Sequence, residues 1–299
     1  MNRSGFYRIV GVVVLLLSAS LGHGADLHFI VFADTTDTTI GTVVDVNNAQ
    51  TWAQRIADNT GLNLQFQSLT GSSLTAHNAR YKLNRLDTNA DDVIYFFYSG
   101  HGANSGTSQW PVLTFDFDSA EPYIFFDEVV ELLEPKNARL QIIIADCCNN
   151  YPDQVGRPLP VYVPRPGTPL EEENFKSLFL ENQGRILACG SKPGQFSLGA
   201  EEAGGLFVMM FMNAFVTLAQ SQQNLTWNEI FTKTAADTTA EAALYDTKQE
   251  PQYLIDFEQV LSSTPTGGNG CGPMGAGTII LGMIGFTFIS NRRIRAMRP

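Results

Sequence analysis

A histidine and a pair of cysteines are the residues of this chain whose types and positions best suit chemistry. His101 lies between glycines in YSGHG, directly after an apolar run, and Cys147 and Cys148 directly follow another apolar run. A free thiol has a pKa of about 8.5 and is only slightly ionised at neutral pH, so a nearby imidazole can make it a useful nucleophile. The glycines around His101 allow close backbone approach and can direct N–H groups toward a developing oxyanion.

The two apolar runs predict buried strands. DVIYFFYSG (92–100) ends just before His101, and LQIIIAD (140–146) ends just before the cysteines. Ligands of open parallel sheets bind outside the carboxyl ends of the strands. We therefore expect both reactive groups at that edge of one sheet.

Patterns typical of strands and helices alternate along the chain. Strands are predicted at 27–33, 62–69, 92–100, 140–146 and 185–191, and helices at 46–61, 73–86, 123–134, 204–219 and 226–242. This order predicts an α/β fold, a three-layer α/β/α sandwich with a mostly parallel central sheet. Segment 151–170 carries six prolines and predicts an extended surface loop directly after the cysteines.

Both ends of the chain have the composition of targeting segments. Residues 1–25 combine early arginines, an apolar stretch and small residues, which predicts a secretory signal peptide or an uncleaved N-terminal anchor. A domain at 26–263 and a linker at 264–273 precede a short apolar anchor or sorting segment with a basic tail, 274–299. Its 16 apolar residues would cover only about 24 Å as a helix. We expect an exported protein of the periplasm or cell envelope, with the C-terminal segment as its membrane contact.

The charge balance limits the classes of partner. The chain has 19 Lys and Arg against 30 Asp and Glu, a net charge of −11. Nucleic-acid binding depends on clustered basic side chains that neutralise phosphates. The composition therefore argues against a nucleic-acid partner and favours basic peptides or small molecules.

These motifs together resemble the caspase-like cysteine peptidases, the metacaspase branch in particular. The family's features are a strand ending in YSGHG and a later hydrophobic strand ending in Asp-x-Cys, and the 47 residues from His101 to Cys148 are close to the roughly 50 of caspases. Segments 185–215 and 248–255 also resemble later parts of the family, the second as in bacterial members. The resemblance implies a caspase-like fold and a cysteine endopeptidase that acts on peptides or proteins through a His-Cys dyad.

Residue roles follow from the same resemblance. His101 matches the family's catalytic histidine and Cys148 its nucleophile, with Cys147 at the preceding serine position. The backbone N–H groups of Gly102 and Cys148 are the candidate oxyanion donors. Asp146 would face the pocket for the residue before the scissile bond, where metacaspases use acidic residues to select Arg or Lys.

Two departures from the family pattern keep a second hypothesis open. Asn48 stands where the first helix commonly carries a second pocket acid, and Asn149-Asn150 follows the nucleophile where the family has His-Ser. The alternative is a catalytically inactive caspase-like module that binds peptides or partners at the cell envelope. A redox or metal role for Cys147 and Cys148 fits poorly, because such sites usually space their cysteines by two or more residues.

Calcium is the one cofactor that the acidic residues suggest. Some metacaspases are activated by calcium, and carboxylate oxygens suit this ion. The alternative for such residues is a solvated acidic surface. The candidate ligands are Asp116, Asp118, Asp127, Glu128 and Asp153.

Overall fold

The computed structural model describes residues 24–115, 121–150, 159 and 161–257. The predicted linker and C-terminal apolar segment lie outside these residues, as does the predicted signal segment except for residues 24 and 25. Within the described ranges, every helix is too short or too polar to span a lipid bilayer.

Strands and helices alternate through most of the described chain. The strands are β1 (Asp26–Ala33), β2 (Asn63–Thr70), β3 (Val93–Ser99), β4 (His101–Asn104), β5 (Pro111–Thr114), β6 (Tyr123–Phe125), β7 (Leu140–Asp146), β8 (Gly184–Cys189), β9 (Gly199–Ala200), β10 (Gly204–Gly205) and β11 (Gln252–Phe257). The helices are α1 (Thr42–Thr60), α2 (Ala76–Asn84), α3 (Phe126–Leu133), α4 (Pro169–Leu180), α5 (Leu206–Ser221) and α6 (Trp227–Ala243).

Among the described residues, six strands form the central sheet in the order β11-β8-β7-β3-β1-β2. All neighbouring pairs are parallel except β11 with β8, which is antiparallel at one edge. Every residue of β3 and β7 is buried, which explains their nearly continuous apolar sequences. The predicted mostly parallel α/β sheet is therefore confirmed.

Helices cover both faces of this sheet. Along β1, Phe29 and Val31 belong to the hydrophobic core formed with α1, α4, α5 and α6. Ile30 and Phe32 point to the opposite face and belong to the core formed with α2 and α3. Because successive strand side chains alternate between faces, one strand contributes to both cores. The result is the three-layer sandwich expected from the sequence.

Segments 123–134 and 151–170 are two of the places where the structure differs from the sequence-based prediction. The predicted helix 123–134 is wrong at its start, because Tyr123–Phe125 forms a strand that pairs with β5 in a small antiparallel sheet. The proline-rich segment also ends earlier than predicted, since α4 begins at Pro169. Proline is tolerated in the first helical turn, where its missing N–H would have no partner in the helix, and Thr168 caps the turn by accepting from Glu171 N.

Candidate active site

The ends of β3 and β7 bring the histidine and cysteine segments to one edge of the sheet. These strands are neighbours, with Ser99 paired to Asp146. His101 and Cys148 each follow two residues later. Gly102 lies so close that a Cβ atom placed on it would be 2.2 Å from the carbonyl oxygen of Cys148. The two segments are therefore in direct backbone contact.

His101 begins β4 and is held from two sides. Its Nε2 lies 2.9 Å from Oδ2 of Asp37, in the loop between β1 and α1. The Tyr98 hydroxyl lies within hydrogen-bonding distance of the carbonyl oxygens of His101 (2.7 Å) and Thr114 (2.6 Å). About 27% of the His101 side chain is exposed, so the ring is both anchored and accessible to a ligand.

Cys148 is half-buried, and its sulfur contacts the backbone of Ser197. The Ser197 amide nitrogen lies 3.3 Å from Sγ, and its carbonyl oxygen lies 3.6 Å from Sγ. Burial raises the pKa of the Cys148 thiol, although the hydrogen bond with Ser197 acts in the opposite direction. The resting sulfur is therefore a thiol that needs a base before it can act as a nucleophile.

Cys147 has a different environment from its neighbour. It is buried in the core beneath α2 and α3. Burial holds the pKa of its thiol well above the usual value, and the nearby Cys189 and Cys148 add to this effect. Buried thiols of this kind are inert packing groups. The two adjacent cysteines thus divide into one core residue and one residue at the sheet edge.

Asp146, the predicted pocket acid, is buried and bound to protein donors. Its Oδ1 accepts from the Ser197 hydroxyl (2.7 Å), and its Oδ2 accepts from Val208 N (2.8 Å) in the first turn of α5. Burial raises the pKa of Asp146 to about 6, against the lowering effect of these hydrogen bonds. Through Ser197, the carboxylate is connected to the Cys148 sulfur.

A second buried carboxylate, Asp45 in α1, lies beside Asp146. It accepts from the Ser99 hydroxyl (2.6 Å) and from Gly205 N (3.0 Å). Burial and the nearby charge of Asp146 raise the pKa of Asp45 to about 8. Asn48, which the family resemblance placed where a second pocket acid is common, is only partly buried.

Asp45 was missed in the sequence analysis, although a signal was present. It lies at helical spacing from Ala49, Trp52 and Ile56, all of which are buried. A carboxylate on the apolar face of an amphipathic helix predicts a buried acid, because such faces pack against the core.

Asn149, one of the two residues that depart from the family pattern, has a structural role. It is fully buried. Its side chain donates to the Gln109 carbonyl and accepts from the Asn104 amide, both at 2.9 Å. Its backbone pairs with Gln195 in an isolated bridge. Asn149 therefore joins the Cys148 segment to two neighbouring loops.

The candidate calcium ligands divide between described and undescribed residues. Asp116, Asp118 and Asp153 lie outside the residues that the structure describes. Glu128 pairs with Arg80 through two hydrogen bonds of 2.5 and 3.2 Å, and Asp127 lies beside it in the first turn of α3. Of the two described candidates, Asp127 and Glu128, the second already has its charge neutralised by Arg80.

Another group of ligand-type side chains lies at the opposite end of β1 and β3. Atoms of Asp26, His28 and Asp92 that could bind a metal are all within 4.8 Å of one another. Asp92 accepts from the backbone amides of Asp26 (2.8 Å) and Asn89 (2.7 Å) and lies 3.1 Å from His28 Nε2. These bonds fasten the start of β1 to the start of β3, so the group has a structural explanation.

The chain is similar to one known protein family and to several solved structures. Residues 30–260 match the sequence model of the caspase domain. Similar solved structures include caspase-1 from Spodoptera frugiperda, at 13% identity and a TM-score of 0.48, covering 79% of this chain and 90% of that one. A protein from Geobacter sulfurreducens has 11% identity and a TM-score of 0.46, covering 78% and 93%. No curated protein sequence matches significantly. The matched range includes Asp45, His101, Asp146 and Cys148.

Proposed function

Because the chain belongs to the caspase-domain family, which supports a cysteine-peptidase-like function, we propose that it is an endopeptidase with Cys148 as nucleophile and His101 as proton carrier. The observation that carries the proposal is the contact between the His101 and Cys148 segments at the carboxyl edge of β3 and β7. The accessible thiol of Cys148 and the anchored imidazole of His101 lie at the same edge of the sheet.

The reaction needs one proton acceptor and one set of oxyanion donors. His101 takes the thiol proton, and the Cys148 sulfur attacks the peptide carbonyl carbon. N–H groups of Gly102 and Cys148 face the negative oxygen of the tetrahedral intermediate. His101 then protonates the leaving amine, and water hydrolyses the acyl-enzyme to regenerate the thiol.

We propose that substrates carry Arg or Lys before the scissile bond. Asp146 places a carboxylate beside Cys148, to which it is linked through Ser197, and the chain as a whole has a net charge of −11. A negative carboxylate near the nucleophile favours a cationic side chain over a neutral or acidic one.

The first experiment measures hydrolysis of fluorogenic peptides with Arg, Lys, Asp or Asn before the scissile bond, with and without calcium. The full chain is compared with Cys148→Ala and with the matched control Cys147→Ala. We expect hydrolysis of the Arg and Lys peptides, a loss of at least about 1,000-fold in Cys148→Ala, and little change in Cys147→Ala.

A second candidate function is an inactive peptide-binding module, which the engagement of the Cys148 thiol by both the N–H and the carbonyl of Ser197 favours. This function predicts that no peptide is hydrolysed and that iodoacetamide does not label Cys148. Labelling of Cys148 in the folded chain, together with peptide turnover, would rule it out.

A further inference from the structure

We propose that Asp37 is a positioning residue for His101, so that the reactive centre is an Asp37-His101-Cys148 triad rather than a dyad. This inference rests on the proposed function for its catalytic consequence. Its structural part, the control of the imidazole by Asp37, can be tested without peptide turnover.

The contact between Asp37 and His101 selects one tautomer of the ring. Nε2 of His101 is 2.9 Å from Oδ2 of Asp37. A carboxylate can only accept a hydrogen bond, so Nε2 carries the proton of the neutral ring and Nδ1 carries the lone pair. Nδ1 is then the atom that accepts the proton of a thiol or a water.

The loop holds the Asp37 carboxylate in a defined orientation. Oδ1 accepts from the backbone nitrogen of Thr39 (2.9 Å) and from its hydroxyl (2.6 Å). The two ends of the loop are also joined, because the hydroxyl of Thr42, the first residue of α1, donates to the carbonyl of Asp34 at 2.7 Å. With Oδ1 engaged in the loop, Oδ2 is directed at His101.

The charge of Asp37 suits this role. Partial burial acts to raise the pKa of Asp37, but hydrogen bonds from Thr39 and from His101 outweigh it and hold the pKa below the usual value. The residue is therefore an anion at neutral pH. An anion beside Nε2 stabilises the imidazolium that forms when His101 takes a proton.

The substitution Asp37→Asn tests the proposal, because asparagine caps a turn about as well as aspartate. It keeps the hydrogen bonds to Thr39 and removes the charge. In the full chain we expect kcat for an Arg peptide to fall about 30-fold with KM nearly unchanged. This loss is smaller than the roughly 10⁴-fold of serine-protease triads, because the side chains of Asp37 and His101 are 32% and 27% exposed and solvent screens their interaction.

A spectroscopic readout separates positioning from a purely structural role. In the full chain with ¹⁵N-labelled histidine, the wild type should show Nε2–H as the neutral tautomer of His101, assigned by comparison with His101→Gln. In Asp37→Asn the new amide can donate to Nε2, so the Nδ1–H tautomer should gain population. Asp58→Asn, the same change on the exposed side of α1, should leave both kcat and the tautomer as in the wild type.

Three outcomes decide the matter. Loss of kcat together with the tautomer change in Asp37→Asn supports the triad. Wild-type kcat in Asp37→Asn, or an unchanged tautomer, overturns it, even if Asp37→Ala is inactive. If the wild type hydrolyses no peptide, the proposed function fails, and the tautomer change alone supports or overturns the positioning of His101 by Asp37.

Discussion

Gly102 shows how a single residue permits the two reactive segments to meet. The Cβ atom of any other residue would lie 2.2 Å from the Cys148 carbonyl oxygen and 2.7 Å from the Cys147 sulfur. Real Cβ atoms do not approach other atoms so closely, so the peptide between Cys148 and Asn149 and the Cys147 side chain would have to move. The absence of a side chain at position 102 is therefore a condition for the geometry of the candidate active site.

We expect Gly102→Ala to reduce kcat/KM by at least about 100-fold, because it displaces the Cys148 backbone from the oxyanion position. Overpacking should also lower the free energy of unfolding by about 1–3 kcal/mol. Peptide hydrolysis and urea denaturation measure the two effects. Gly167→Ala is the control, since its new methyl would have only an ordinary contact at 3.8 Å, with Glu171. Equal activity in both variants would contradict the steric argument.

At the scale of elements, buried ionisable side chains join helices to the sheet and to one another. Asp146 of β7 and Asp45 of α1 accept hydrogen bonds from Val208 and Gly205 at the start of α5. These two acids cap the N-terminus of α5, although neither belongs to that helix. The residue at the N-cap position, Gly205, has no side chain that could do so. The start of α5 is thus positioned by these two buried acids.

A buried ion pair joins α1 to α4. Arg55 Nε and Nη2 donate to the two carboxylate oxygens of Glu171 at 2.5 and 2.9 Å, and Gln220 of α5 donates to the same carboxylate. Glu171 is fully buried. Removing the arginine would leave an uncompensated charge in the core.

We therefore expect Arg55→Ala to lower the free energy of unfolding by about 3–5 kcal/mol. The matched control is Arg80→Ala, which breaks an equally short but partly exposed pair with Glu128 and should cost about 1 kcal/mol or less. Urea denaturation of the three proteins measures both values. Similar losses in the two variants would show that burial of Glu171 is not the decisive factor.

At the scale of the whole molecule, the two buried acids make stability depend on pH in an unusual direction. Most folded proteins lose stability in acid because paired carboxylates must be protonated. Burial and Asp146 instead raise the pKa of Asp45 to about 8. The folded state then holds a proton that the unfolded chain releases near pH 4, so this contribution to stability falls as pH rises from about 4 to 8.

The isosteric change Asp45→Asn should remove this dependence. Asparagine can still accept from Gly205 and can donate to the Ser99 hydroxyl, so the local hydrogen bonds persist. Between pH 5 and pH 8, the free energy of unfolding should fall more in the wild type than in Asp45→Asn, as measured by urea denaturation. Asp58→Asn controls for the loss of one negative charge at an exposed position. Parallel pH profiles for wild type and Asp45→Asn would be inconsistent with a buried, protonated Asp45.

Much of the fold could be predicted from sequence because its signals are local. The runs at 92–100 and 140–146 are mostly apolar along their buried length, and this pattern predicted β3 and β7 to within about one residue. The strands Tyr123–Phe125 and Pro111–Thr114 were not predicted. Three or four residues carry too little periodicity to distinguish a strand from a helix or a loop.

By itself, the sequence determined the family, the alternation of strands and helices, and the placement of His101 and Cys148 after two buried strands, because these depend on residues close together in the chain. Only the tertiary structure decided which distant groups surround them. Asp37 contacts His101, which lies 64 residues further along the chain, and Asp45 contacts Gly205, which lies 160 residues further along. Such contacts depend on how the strands are ordered in the sheet and how α1 packs on it, and no local spacing encodes that arrangement.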